Sequence, residues 1–285
     1  MNKTVGKYIY CITKHLMIAF LLLLISIPVL SSAELKVHFI DVGQGDAILV
    51  QCDGENLLID AGPVEAGDNV NQYLSDVMGL NKIHYVIATH AHDDHLAGMP
   101  SALDGLTVGH VYSSTAISSS YWFRTVLSVL KQDGLEISYP AFQDSFQLGG
   151  ATVRFVNPMS AAENPNDLSL VVLIEYESNT VLLTADIEAE AETSMLACGV
   201  QLSADILKVP HHGGNTSCTE AFIRAVSPRI AIISVGTGNL HGHPHMEPLR
   251  TLEKYHATIY RTDLFGTIVC TSNGAEWIIE VSKAR

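Results

Sequence analysis

The chain has 285 residues, 47% of them hydrophobic, and a formal net charge of −14. That length accommodates one large domain or two small ones with a buried core, and the acidic balance excludes a protein that coats polyanions by long-range attraction. An enzyme whose bound dications supply local positive charge stays open.

The first 33 residues read apart from the rest. Lys3, Lys7 and Lys14 precede an apolar run over 16–30, and Ser31-Ser32-Ala33 supplies small residues where a signal peptidase cuts. These are the parts of a secretory signal peptide. The alternative is a membrane anchor, with an apolar core of about 15 residues against the roughly 20 that span a bilayer. Either reading puts residues 34–285 outside the cytoplasm, with membrane contact only through 1–33 if that segment is retained. Without it the balance is 13 Lys and Arg against 30 Asp and Glu, or −17. Of five Cys, Cys11 lies in this segment; Cys52, Cys198, Cys218 and Cys270 form no CxxC pair and are expected as buried free thiols.

β-rich runs over 35–42, 46–51 and 56–60, divided by Gly43-Gln44-Gly45 and Asp53-Gly54, predict an opening meander. A helical pattern over 69–78 and an apolar strand over 82–89 follow, then a strand over 109–113 and a serine-rich connection over 113–120 that reads as a solvated loop able to rim a site. A helix over 121–132 stops at Asp133-Gly134. Strands are predicted over 136–139, 152–156, 169–176 and 180–185. The last third alternates helix and strand: helix 187–197, strand 205–209, helix 219–226, strand 229–235, helix 247–256 and closing strands. No Pro- or Ser-rich linker divides them. The expected fold class is therefore α/β, an αββα sandwich of two mixed sheets packed face to face with helices on both outer faces, in one domain over 34–285.

His90, His92, Asp94 and His95 fall within six residues just after the apolar strand. Three imidazoles and a carboxylate from one tight loop have the density of a metal site, and catalytic sites keep one position open for water. The pair His90 and His92 can face one ion while Asp94 and His95 face a second. A purely structural site is the rival reading, though structural zinc recruits Cys and this loop has none. Lys208 and Arg261 are candidate cations for an anionic substrate.

The HxHxDH run resembles the signature of the metallo-β-lactamase superfamily. The segments FIDVGQGDAILV, LLIDAG, THAHDDHLAG, NDLSLVVLIEY, VLLTADIE, ILKVPHHGGNTS, GHPH and YRTDLFGTI together resemble the C-terminal hydrolase domain of ComEC-type DNA-uptake competence proteins. This resemblance implies two divalent ions, Zn or Mn. His90, His92 and Asp186 would hold one; Asp94, His95, Asp186 and His211 would hold the other, with Asp186 bridging unless it merely caps the next helix. His212 would stand beside the ligands. Asn166 and Asp167 occupy the place of a third imidazole on the first ion, which suggests unequal affinities. Asp60 would orient the His loop. Asp41, Gln44 and Asp46 match the opening motif, whose glycines let backbone approach that loop. His243 and His245, before a helix start, are candidate phosphate or leaving-group contacts.

The function expected is a secreted or anchored phosphodiesterase or DNase using metal-activated water, with Asp94, His245 and Lys208 in the chemistry and DNA or another phosphodiester as substrate. No polytopic channel region or oligonucleotide-binding module of its own is legible, so a free-standing hydrolase is expected. The alternatives are hydrolysis of a small acyl substrate, a lactone or β-lactam, on the same site, and a non-catalytic binding protein. The acidic balance lacks the basic track of a tight nucleic-acid binder.

Overall fold

Alternation along the strands decides the architecture, because successive side chains point to opposite faces of a sheet. The computed structural model describes residues 34–115, 120–132 and 134–283. The leader or anchor expected over 1–33 lies outside the described residues. β1 (Leu35–Phe39), β2 (Ile48–Cys52) and β3 (Glu55–Ile59) form the antiparallel meander. β4 (Lys82–Ala88), β5 (Thr107–Ser113) and β6 (Ile137–Ser138) extend it in parallel. β7 (Ser145–Leu148), β8 (Ala151–Phe155), β9 (Val172–Tyr176) and β10 (Asn179–Leu183) begin a second sheet as antiparallel neighbours. β11 (Ile206–Lys208), β12 (Ile230–Ile233) and β13 (Thr258–Arg261) join it in parallel. β14 (Ile268–Ser272) and β15 (Trp277–Val281) return to pair with β1.

The result is an eight-stranded sheet, β15-β14-β1-β2-β3-β4-β5-β6, and a seven-stranded sheet, β13-β12-β11-β10-β9-β8-β7. Three apolar clusters separate the layers. Leu35, Val37, Phe39, Val50 and Ile59 meet Val153, Phe155, Ile174, Val181 and Leu183 between the sheets. Leu49, Leu58 and Val86, on the other face of the first sheet, pack against Val70, Leu74, Phe123, Val126 and Leu130. Leu173, Leu182, Leu207 and Ile233 pack outward against Ile187, Met195, Phe222, Ile223 and Leu252. Helices Gly67–Gln72 and Tyr121–Gln132 thus cover one sheet, and Ala189–Ala197, Glu220–Val226 and Met246–Lys254 the other. This is the αββα sandwich read from the sequence. Among the described residues no helix is long and apolar enough to cross a membrane.

Two departures have local causes. The helix expected over 187–197 starts at Ala189 because the Asp167 carboxylate accepts the N–H groups of Glu188 at 2.8 Å and Ala191 at 3.2 Å, leaving Asp186 free in the preceding turn. Asp186 is therefore no helix cap. The helix expected over 69–78 is an α-helix only to Gln72 and continues as a π turn, Tyr73–Val77. All four cysteines of 34–285 are unbridged; Cys52, Cys218 and Cys270 are buried as expected, whereas Cys198 is exposed.

Candidate active site

Strand register delivers the site. β3 and β4 run parallel with Ile59 opposite Ile87, so Asp60 and the 89–95 loop leave the sheet side by side. β10 and β11 run parallel with Leu183 opposite Lys208, so Asp186 and the His211-His212 pair emerge together from the facing sheet. Asp60, Ala185, His211 and His212 all adopt positive φ, between 47° and 55°. For residues with a Cβ this left-handed backbone is strained, and strain of this kind gathers at functional sites.

Asp60 is the anchor of the His loop. Its fully buried carboxylate accepts the Thr89 N–H at 2.9 Å and the Thr89 hydroxyl at 2.6 Å, and lies 2.7 Å from His95 Nδ1. That contact fixes the His95 ring and turns Nε2 toward Asp186. Gly45 lets a second segment close over the loop: a Cβ there would collide with the Asp94 carbonyl, and the Asp46 N–H donates to that carbonyl at 3.3 Å.

At the centre, Asp186 Oδ2 lies 3.2 Å from His95 Nε2, 3.3 Å from His212 Nε2 and 3.9 Å from His90 Nε2. His212 Nε2 lies 3.4 Å from Asp94 Oδ2. Donor atoms of Asp94, His95, Asp186 and His212 fall within 4.8 Å of one another. His90 Nε2, 3.9 Å from Asp186 Oδ2, lies 3.1 Å from His92 Nδ1.

His211 and His212 take different positions at the cluster. His211 Nδ1 turns away to Thr216 Oγ1 at 3.0 Å and Glu188 at 3.5 Å, while His212, buried and oriented by its Nδ1 contact to the Ser234 carbonyl at 2.9 Å, presents Nε2 to the cluster. Lys208 is fully buried, with Nζ 2.6 Å from Asp46, and is not among the cavity-lining residues. Arg261 is held by Asp263 through contacts of 2.9 and 2.6 Å. His245 does not line the cavity; its Nδ1 accepts the Asn215 N–H at 3.1 Å and fixes a turn. Asp41 pairs with Lys283 at 2.8 Å, away from the ligands.

The cluster opens into a cavity of about 690 Å³ lined by Gln44, His92, Asp94, Asn166, Asp186, His211, His212, His241, His243 and Ser120, among others. Ser120 thus stands at the rim; residues 116–119 of the serine-rich stretch lie outside the described residues. His241 was missed by sequence reasoning; its position two residues before His243 was the available signal. Asn166 donates from Nδ2 to Glu188 at 2.8 Å.

Electrostatics marks the centre. Burial opposes charge on Asp186, yet His212 and His95 overcome it and hold the carboxyl well below its usual range. Asp94 is lowered in the same way, against burial, by His95 and His212. Burial likewise opposes charge on the imidazoles, but Asp186 and Asp94 raise His95 well above 6.5, and Asp186 raises His212 to about 9. His90 goes the other way: burial and then the His95 charge push it well below 6.5.

These residues fit a divalent cation. His95 Nε2, His212 Nε2 and Asp186 Oδ1 are buried without a hydrogen-bond partner, a costly condition that a cation relieves. Two imidazoles and two carboxylates are a donor set for Zn²⁺ or a similar ion.

A sandwich of this topology with a His/Asp cluster at the parallel strand ends defines a metal-dependent hydrolase fold. The family profile of the Metallo-beta-lactamase superfamily matches residues 40–237, more than half of the 285, and the chain belongs to that superfamily. Within it, the chain is similar to ComEC-type competence proteins. It is 30% identical over 264 residues to ComE operon protein 3 of Bacillus subtilis, covering 86% of this chain and 34% of that protein. It is 25% identical over 237 residues to competence protein ComA of Neisseria gonorrhoeae, covering 82% and 32%. The chain thus spans about a third of the length of these curated relatives. Among solved structures, the metallo-β-lactamase fold protein YhfI from Bacillus subtilis matches with a TM-score of 0.54 at 15% identity, covering 84% of this chain and all of that one, a likeness of fold alone.

Proposed function

We propose that the chain is a phosphodiesterase that cleaves single-stranded DNA outside the cytoplasm. The observation that carries this reading is the group of buried metal-ligand atoms without a hydrogen-bond partner, His95 Nε2, His212 Nε2 and Asp186 Oδ1, gathered at a cavity where no lysine or arginine is found among the described lining residues. Bound cations in such a site can neutralise an anionic substrate. The competence proteins to which the chain is similar support DNA as the substrate.

Asp94, His95, Asp186 and His212 would hold one ion, and His90 and His92, sharing Asp186, a second and weaker one; Zn or Mn suits both sets. Divalent ions there supply Lewis-acid polarisation of the phosphoryl group and activation of the attacking water. Asp60 holds His95 in orientation. His211, His241 and His243 present imidazoles along the cavity wall. Burial, reinforced by His211 and His212, keeps His243 neutral by lowering it to about 4, and a neutral ring donates from one nitrogen and accepts at the other. It can thus hydrogen-bond a phosphate oxygen or a leaving hydroxyl.

The test uses the chain stripped of metal and reloaded with Zn²⁺ or Mn²⁺, assayed on single-stranded DNA, bis(p-nitrophenyl) phosphate and a chromogenic cephalosporin. Metal-dependent cleavage of the first two is expected, and His92→Ala should abolish it while leaving the fold intact. Turnover of the cephalosporin alone would sink the phosphodiester reading in favour of acyl hydrolysis.

A further inference from the structure

Among the described residues the cavity lining holds no Lys or Arg, so beyond the bound cations a single strand needs contacts other than ion pairs to those side chains. Phosphate contacts dominate nucleic-acid affinity in most binders, and a net charge of −14 weakens long-range attraction of the backbone. Another route is stacking of bases on aromatic rings, which tolerates any sequence because every base has a π face.

One aromatic pair directly follows the cavity rim in the chain. Ser120 lines the cavity, and its hydroxyl donates to the Asp93 carboxylate within the metal loop, next to Asp94. The same oxygen accepts the Trp122 N–H at 3.1 Å, so the start of helix Tyr121–Gln132 is tied to the rim. The two residues that follow Ser120 are Tyr121 and Trp122, whose rings meet edge to face, with centroids 5.1 Å apart and planes at 76°. Tyr121 is 66% exposed, so its ring is open to a ligand. Burial elsewhere in this helix is accounted for by Phe123, Val126 and Leu130, which pack on the first sheet. The pair therefore contributes little to the core. Trp122 limits the orientations open to the Tyr121 ring, and a ring ordered beforehand loses less entropy when a ligand stacks on it.

We propose that Tyr121, braced by Trp122, is a stacking platform for a nucleobase of single-stranded nucleic acid entering the metal cavity past Ser120. The inference rests on the phosphodiesterase reading for its ligand, but its test is a binding measurement independent of turnover.

The chain contains two tryptophans, Trp122 and Trp277, so Trp277→Phe leaves Trp122 as the sole reporter. In that background, with metal chelated by EDTA, a short oligothymidylate is titrated while Trp122 fluorescence is followed. Saturable quenching is expected, with an affinity that changes little between low and high salt, because few counterions are released. Tyr121→Ala should weaken binding by roughly tenfold and Tyr121→Phe should retain it, in line with the effect of removing one stacked base. Absence of quenching, an affinity unchanged by Tyr121→Ala, or a steep salt dependence of the kind phosphate contacts produce would each overturn the platform. Metal-dependent hydrolysis of bis(p-nitrophenyl) phosphate by the parent protein reports on the phosphodiesterase reading separately from this binding measurement.

Discussion

Lys208 Nζ lies 2.6 Å from the Asp46 carboxylate, and neither side chain meets solvent. The ammonium also donates to the Ala185 carbonyl at 3.2 Å and stands 3.8 Å from Asp186 Oδ1. Burial works against this charge, but Asp46 and Asp186 outweigh it and raise Lys208 above the usual lysine value. Lys208→Met leaves Asp46 as a buried carboxylate without its partner. The expected loss is about 3–5 kcal/mol, the range for breaking a buried pair from one side, read from urea unfolding of the metal-free protein. Adding Asp46→Asn should recover part of it. A loss under about 1 kcal/mol would mean that water or relaxation already relieves the site.

The neighbours His211 and His212 should separate sharply in metal binding. His212 Nε2 lies 3.3 Å from Asp186 Oδ2 and 3.4 Å from Asp94 Oδ2, whereas His211 Nδ1 faces Thr216 and Glu188. His212→Ala is expected to reduce affinity for the tighter ion by more than about 100-fold, beyond what loss of an outer hydrogen-bonding partner usually costs. His211→Ala should change it by less than about tenfold. Isothermal titration with Zn²⁺ on both variants decides, and equal losses would contradict the geometry.

The same pair shows where reading the sequence reached its limit. Four ligand-type residues within six positions announced the centre at 90–95 without any structure, because such density has no cheap structural explanation. Alternating apolar residues such as Leu35, Val37 and Phe39 announced the inner core. The sequence His211-His212 does not say which ring turns inward: both residues adopt left-handed backbone, φ 49° and 53°, and the Ser234 carbonyl selects His212. Lys208 was equally illegible, since its burial depends on Asp46, which comes from the other sheet and far along the chain. β7 escaped notice because Ser145–Leu148 is a short, largely exposed edge strand with a weak alternation.

Asp60 couples the fold to the ligand loop. Its carboxylate joins Thr89 to His95 through contacts of 2.9, 2.6 and 2.7 Å. Burial pushes its pKa up, while the His95 and Thr89 contacts pull the other way. Asp60→Ala removes all three contacts and frees the His95 ring. Metal affinity should fall by roughly 10–100-fold, and stability by about 2–4 kcal/mol from the stranded Thr89 donors and the cavity. Calorimetric titration and denaturant unfolding measure the two separately. A change in affinity with no change in stability would show that the loop keeps its shape without Asp60.

A pH effect is expected far from the metal cluster, at His38 on β1. The ring is buried, with Nδ1 2.8 Å from the Tyr73 hydroxyl. Burial, then the nearby Lys36 charge, lower its pKa from 6.5 to about 4. The unfolded chain therefore takes up a proton as the pH falls below 6.5, whereas the folded chain does not until about 4. Because the folded pKa is depressed, the stability tied to a neutral His38 is complete above the unfolded value and drains as pH falls between the two. The size is about 3 kcal/mol. His38→Gln cannot titrate, so its stability should fall less from pH 7 to pH 4 than that of the parent, by about that amount. Urea unfolding of both metal-free proteins at these two pH values measures the difference. Parallel losses would place the acid sensitivity elsewhere, in carboxylates that the native state holds ionised.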